Sequence, residues 1–476
     1  MAEVEEVTGR VLVSETIYTS FAAAWLGSIC MGTSLGYSSP AVSSLLEQAK
    51  EEEDEVRLLL RPDDTFWFGS LLNMGALFGC YFGGALCQAV GRLRALSFCC
   101  LGFILSWLAL AYAGQRIVLY VGRVCTGFFT GIVSVVVPAY VSELSPEDSR
   151  ALYGGTIQLA ITFGIFVSYL IGTFFDWSNL ALSMVVPPAI MMPFLQVAVE
   201  SPRWQMATHK RAEAIAGMRE IRPADAAVDD ELLVIEATYL NIPTPRVHIA
   251  VAVLIMFLQQ FSGINSIIFY AGATFSDAGV NLSPDALASL LAALQVSVTM
   301  TAVALLDSMG RRTMLVLSSL ICSITLAVMA SAELLGSDTG GTFVRKIGPV
   351  TVAIYVIGFS LGMGPVTWIT CAELVPCRAL GLEWSSIAAF NWGCSFMVTV
   401  LFDSFKGTVS RGSFYIFFCI MTLVNTLMIY ISLPETSKLS IEQILLQGYQ
   451  GEEAQAGLMQ AVGVRGGRSQ KGALFR

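Results

Sequence analysis

Apolar runs separated by short polar breaks dominate the chain from residue 18 to residue 433. About twelve of them approach the roughly 17–25 residues that a helix needs to cross the hydrocarbon of a bilayer. They fall near 18–41, 65–87, 96–113, 117–141, 153–174, 181–199, 247–274, 284–306, 313–334, 347–371, 382–403 and 413–433. The interval 200–246 interrupts this rhythm with charged residues and reads as short amphipathic helices over 204–221 and 230–239. The pattern predicts an all-α membrane protein: a segment 1–17, a six-helix bundle over 18–199, a linker over 200–246, a second bundle over 247–433 and a tail over 434–476. The tail is expected to lose regular structure beyond Glu442, where Gly and Gln accumulate.

The halves carry matching signposts. GRLR at 91–94 is answered by GRRT at 310–313, PAYVSELSPEDSRA at 138–151 by WITCAELVPCRALG at 368–381, and ESPRW at 200–204 by PETSK at 434–438. Parallel repeats joined by one linker suit a transporter whose site lies between two bundles that tilt in turn. Gly122, Gly127 and Gly131 in the fourth span read as close-packing positions between helices.

Composition agrees with the pattern. The chain is 55% hydrophobic and 13% charged, with mean hydropathy +0.68, against roughly a quarter charged in soluble proteins. An even span count puts both termini on one side, and about two thirds of the basic residues lie there, which assigns that side to the cytoplasm. The net charge of -9 sits mostly in loops, notably EEEDE at 51–55, read as a solvated outer face, and implies no nucleic-acid partner. The 11 cysteines lack metal-site spacing and read as free thiols, so no metal or other cofactor is expected. MAEVEEVTGR lacks the features of a removable signal peptide, so the first span directs insertion. Asn281 begins a glycosylation sequon in an outward loop, with Pro284 following it as a hindrance. With only His209 and His248 and no nucleophile motif, the chain is not expected to be an enzyme.

The run QQFSGINSIIFY at 259–270 concentrates the chemistry. Polar groups at membrane depth are costly and normally face a pathway or cavity. Gln259, Gln260 and Asn265 offer donors and acceptors without charge, which suits a neutral ligand covered in hydroxyls, such as a sugar, better than an ion. Single amides in spans also serve as interhelical hydrogen-bond glue worth about 0.6 kcal/mol. Three within seven residues exceed that need. An ion channel is disfavoured because the chain shows no charge ring or filter-like repeat.

These motifs resemble those of the sugar porters of the major facilitator superfamily, the group containing the facilitated glucose transporters, from Gly36 to Ile444. GYSSPA at 36–41, VIGFSLGMGP at 356–365 and AAFNWGCSF at 388–396 look most like arthropod facilitated trehalose transporters and the intracellular-vesicle glucose transporters. The resemblance implies a mid-membrane sugar site held by Gln158, Gln259, Gln260, Asn265, Gln295, Trp368, Asn391 and Trp392, with Phe269 and Tyr270 as an outer aromatic gate. It also implies an inter-helix salt-bridge network that shuts the cytoplasmic side, drawn from Arg92, Glu143, Arg150, Glu200 and Arg203 in one half and Asp307, Arg311, Arg312, Glu373 and Glu435 in the other.

The chain departs from the family pattern at Gln88, Leu93, Ala151, Val199, Leu380, Ser437 and Lys438, which puts most strain on the network assignment. Proton-coupled members keep an aspartate after the Gly-Tyr of the first span, whereas here Ser38 follows Gly36-Tyr37. The chain therefore reads as a uniporter for glucose or trehalose. The alternatives are a proton-coupled symporter and a non-transporting sensor, the latter disfavoured by the short tail. The expected partners are a hexose or disaccharide and the lipid bilayer, and the expected location is the cell membrane ahead of an internal vesicle membrane.

Overall fold

A computed structural model describes residues 15–51, 60, 64–146, 149–223, 228–236, 244–279, 283–335, 342–376, 382–405, 408–437, 439 and 441–448, and for Phe269 and Tyr270 the backbone alone. Asn281, most of 51–55 and the chain after 448 lie outside the described residues. All regular structure among the described residues is helical.

The first half comprises α1 (Glu15–Gly36), α2 (Ser38–Glu51), α3 (Thr65–Val90), α4 (Arg92–Ala111), α5 (Arg116–Leu144), α6 (Arg150–Gly172), α7 (Trp177–Ser183) and α8 (Val186–Val197). Linker helices α9 (Pro202–Ala207), α10 (Arg211–Ile221) and α11 (Val228–Val234) follow, and their side of the molecule is termed the linker face. The second half comprises α12 (Arg246–Gln260), α13 (Ile264–Asp277), α14 (Pro284–Met309), α15 (Arg311–Leu335), α16 (Thr342–Leu361), α17 (Pro365–Leu374), α18 (Leu382–Phe405) and α19 (Arg411–Ser432), and α20 (Ile441–Gln447) closes the described chain. The tail thus keeps a helix past Glu442, contrary to the expectation. Its Ile441, Ile444 and Leu445 form a buried stripe.

These elements form twelve membrane-crossing segments in two six-helix bundles. Nine helices or helix pairs among the described residues are long and apolar enough to span a membrane by length and composition alone. The other three are α1, diluted by Gly, Ser and Thr, the broken pair α12–α13, and α18 with its Asn, Trp and Ser residues. Within the first half, α3 and α5 approach closely: a Cβ on Gly127 would lie 2.2 Å from the Leu72 carbonyl oxygen, and one on Gly131 2.1 Å from that of Ala76. Across the halves, α6 packs on α14 and α3 on α18.

Four spans depart from single unbroken rods. The first ends at Gly36, and α2 continues it toward the opposite face, with Pro40 in its first turn where a missing N–H costs nothing. The sixth divides into α7 and α8 ahead of Pro187-Pro188. The seventh breaks at Phe261–Gly263, where Gly263 has φ 86°. The tenth breaks between α16 and α17 at Gly362–Gly364. In a membrane, the backbone groups freed by such breaks need partners inside the protein. The Tyr355 hydroxyl donates to the Ser262 carbonyl at 2.9 Å, and the Met363 N–H donates to Ser318 Oγ at 2.8 Å. The linker also divides more finely than expected, because His209, at φ 61°, separates α9 from α10.

Candidate functional site

Between the two halves lies a cavity of about 290 Å³. All eight residues expected to hold a ligand line it. Gln158 comes from α6, Gln259 and Gln260 from the end of α12, and Asn265 from the start of α13. Gln295 comes from α14, Trp368 from α17, and Asn391 and Trp392 from α18. No charged side chain lines the cavity among the described residues. The breaks at Gly263 and Gly364 explain the convergence: each turns the chain at cavity depth, so amides at a helix end point inward.

The amides divide into two sets. Gln259 Nε2 donates to the Met363 carbonyl at 2.7 Å, and its Oε1 accepts from Asn391 Nδ2 at 3.2 Å. Asn391 Nδ2 also donates to the Met256 carbonyl at 2.9 Å, while its Oδ1 accepts from Gln260 Nε2 at 3.0 Å. Asn391 is fully buried and Gln259 nearly so. These two tie the breaks of the seventh and tenth spans to the eleventh. Gln158, Asn265 and Gln295 make no side-chain hydrogen bond with a described residue, so their donors and acceptors are open to a ligand. Trp368 packs edge-on against Trp384, ring centroids 6.1 Å apart, and has a partly open indole. Trp392 donates from Nε1 to Ser134 Oγ at 3.1 Å, and Trp384 to the Val135 carbonyl at 3.1 Å, so α18 is pinned to α5 of the other half.

Toward the linker face, a smaller cavity of about 40 Å³ continues below Trp368 and Gln158, lined by Pro138, Ser142, Arg150, Ile369 and Glu373 among others. Under it the repeated motifs form matching constellations. Arg92 pairs with Glu143 at 2.8 Å, and Arg311 with Glu373 at 2.9 Å, all four side chains being buried. Glu143 accepts from Ser201 Oγ, and Glu373 from Thr436 Oγ1 at 2.7 Å. Glu200 accepts the Arg92 and Leu93 N–H groups, as Glu435 accepts those of Arg311 and Arg312. Burial pushes the Glu200 carboxyl above its ordinary range, and the N–H donors of Ser201, Leu93 and Arg92 pull it back.

Both ion pairs lie within a half, so each braces its own bundle. A bond that does cross is Arg150 Nη1 to the Leu439 carbonyl at 3.1 Å. Arg203 donates to the Glu143 carbonyl at 2.9 Å. The Arg312 side chain turns to the Tyr430 carbonyl and ring. Asp307 is exposed and has no side-chain partner among the described residues, so the structure leaves it outside the network. At the departure site Gln88, the backbone carbonyl accepts from Trp204 Nε1 at 2.8 Å. The aromatic gate of Phe269 and Tyr270 and the sequon at Asn281 lie outside the described side chains.

Two residues escaped the sequence reading. Tyr169 lines the cavity from α6 and was legible only as the continuation of the stripe Gln158, Ile161, Ile165. Arg123 is fully buried in α5, donating to the Phe68 and Ser34 carbonyls, each at 3.2 Å, and to Ser38 Oγ, with its guanidinium 4.9 Å from the Phe68 ring centroid.

The pattern of the family described as "Sugar (and other) transporter" matches residues 21–446. The chain is 30% identical over 439 residues to sugar transporter ERD6-like 6 of Arabidopsis thaliana, covering 88% of each chain. It is 30% identical to the bovine (Bos taurus) solute carrier family 2, facilitated glucose transporter member 8, over 89% of this chain and 92% of that one. It is 28% identical to the facilitated trehalose transporter Tret1 of Bombyx mori, over 92% and 88%. The solved structure of the major facilitator superfamily proton:xylose symporter XylE, bound to 6-bromo-6-deoxy-D-glucose, superposes with a TM-score of 0.77 at 21% identity, over 91% of this chain and 99% of that one. With the fold, the paired motifs and the match over most of its length in agreement, the chain belongs to the sugar transporter family, and its fold is that of the major facilitator superfamily structure.

Proposed function

We propose that the protein is a facilitative transporter that carries glucose or trehalose across a membrane down its gradient by alternating access. The observation that carries this reading is the cavity itself: amides and indoles, without charge, at the meeting of two bundles. Gln158, Asn265, Gln295 and the open oxygen of Gln260 hydrogen-bond the hydroxyls, and the indoles of Trp368 and Trp392 cover the C–H face of the ring. Gln259 and Asn391 hold the other groups in place. Residues 18–199 and 247–433 rock as two bodies about this site, the linker 200–246 joins them, and the paired motifs brace each body at the linker face. The basic residues on that face support a cytoplasmic placement of the termini, with the cell membrane as the location.

Coupling to protons would need a titratable group in the pathway. XylE is a proton:xylose symporter, but no acidic residue lines the cavity here among the described residues, and Arg123 is met by the neutral Ser38 hydroxyl. Both observations favour uniport. Uptake of labelled glucose and labelled trehalose into oocytes expressing the protein, with and without a proton gradient, tests the reading. Saturable uptake of either sugar, indifferent to the gradient, is expected; uptake that follows the gradient would replace uniport with symport.

A further inference from the structure

The cavity meets α6 at Gln158, Ile161, Ile165 and Tyr169, spacings of three and four that place them on one face of the helix. At 1.5 Å per residue this stripe runs about 16 Å along the axis, longer than a single pyranose ring. The polar groups are unevenly spread along it. The linker-side end holds the amides and indoles. Among the described residues, the opposite end is a collar of Leu35, Ile268 and Ala288, into which Tyr169 brings a polar atom. Tyr169 is partly buried, and its hydroxyl makes no hydrogen bond with a described residue. A hydroxyl among apolar neighbours is costly unless a water or ligand meets it. The cavity would hold about ten waters at ~30 Å³ each, whereas one pyranose displaces only about half of them.

We infer that the cavity is built to take a two-ring sugar end-on, with Tyr169 as the residue that engages the second ring. The first ring occupies the amide-rich end beside Trp368. The second stacks an apolar face on the Tyr169 ring and hydrogen-bonds its hydroxyl. This rests on the transporter reading above and narrows its substrate class to a disaccharide. A single hexose uses only the linker-side end and is indifferent to Tyr169.

The test is uptake of labelled trehalose and labelled glucose by the wild type and by Tyr169→Phe, normalised to protein at the surface. The substitution keeps the ring and its packing and removes one hydroxyl. It is expected to lower kcat/KM for the disaccharide about three- to tenfold, the worth of one hydrogen bond, and to leave glucose within about twofold. An equal fall for both sugars, or unchanged disaccharide uptake, would overturn the assignment. A wild type that carries glucose but no disaccharide would overturn it while leaving the transporter reading intact. Uptake of neither sugar by protein present at the surface would remove the reading on which it rests.

Discussion

At the scale of single residues, the amides that look alike in sequence do different work. Gln259 and Asn391 spend their hydrogen-bonding groups on protein partners, whereas Gln158 and Gln295 leave theirs open. Gln158→Ala and Gln295→Ala are therefore expected to raise KM for the sugar about three- to tenfold each, near 1 kcal/mol of lost hydrogen bonding, with normal thermal stability. Gln259→Ala leaves one Asn391 donor without a partner in a buried site and the Met363 carbonyl with the Thr367 hydroxyl alone, at a cost of about 1–3 kcal/mol. It should lower Tm in detergent as well as transport. Melting curves for the three variants check this, and identical Tm values would refute the division. The family resemblance named all eight of these cavity-lining residues but could not show this split, because it depends on which carbonyls lie opposite each side chain.

At the scale of elements, the breaks in the seventh and tenth spans put those side chains in position. Gly263 holds a left-handed φ of 86°, and a Cβ there would lie 2.4 Å from the Phe418 ring. Gly263→Ala combines a conformational cost of about 1–2 kcal/mol with that clash, so a clear drop in Tm and in transport is expected. Gly114→Ala, with open space around its Cβ position, is the control and should leave both unchanged. A Gly263→Ala protein as stable as that control would show that the chain reroutes around the break at little cost. The Gly and Pro cluster at 362–365 made the tenth-span break legible in sequence, since those residues favour interruption. The helix α2 was not legible, because its Ser-rich start and mixed composition read as an outer loop.

At the scale of the whole molecule, contacts cross between the two halves: Arg150 to the Leu439 carbonyl of the tail at the linker face, and the Trp384 and Trp392 indoles to α5, Trp392 at the depth of the central cavity. The buried pairs Arg92–Glu143 and Arg311–Glu373 brace the bundles separately. Arg150→Ala should loosen the closed face. A cysteine introduced as Ser142→Cys, in the smaller cavity beside Arg150, should then react faster with a maleimide applied from that face. An unchanged labelling rate would show that Arg150 does not latch the bundles.

The sequence by itself determined the class of molecule and the number of spans, because hydrophobic length and paired motifs each have one economical physical reading, whereas the expected ligand-holding residues beyond Gln259, Gln260 and Asn265 came with the family resemblance. The tertiary structure alone decided which amides are free, where Tyr169 and Arg123 lie, that Asp307 stands apart from the network, and that the ion pairs act within bundles. Those outcomes depend on what each side chain faces across an interface, and residues hundreds of positions apart in the chain are brought opposite one another only when the helices pack.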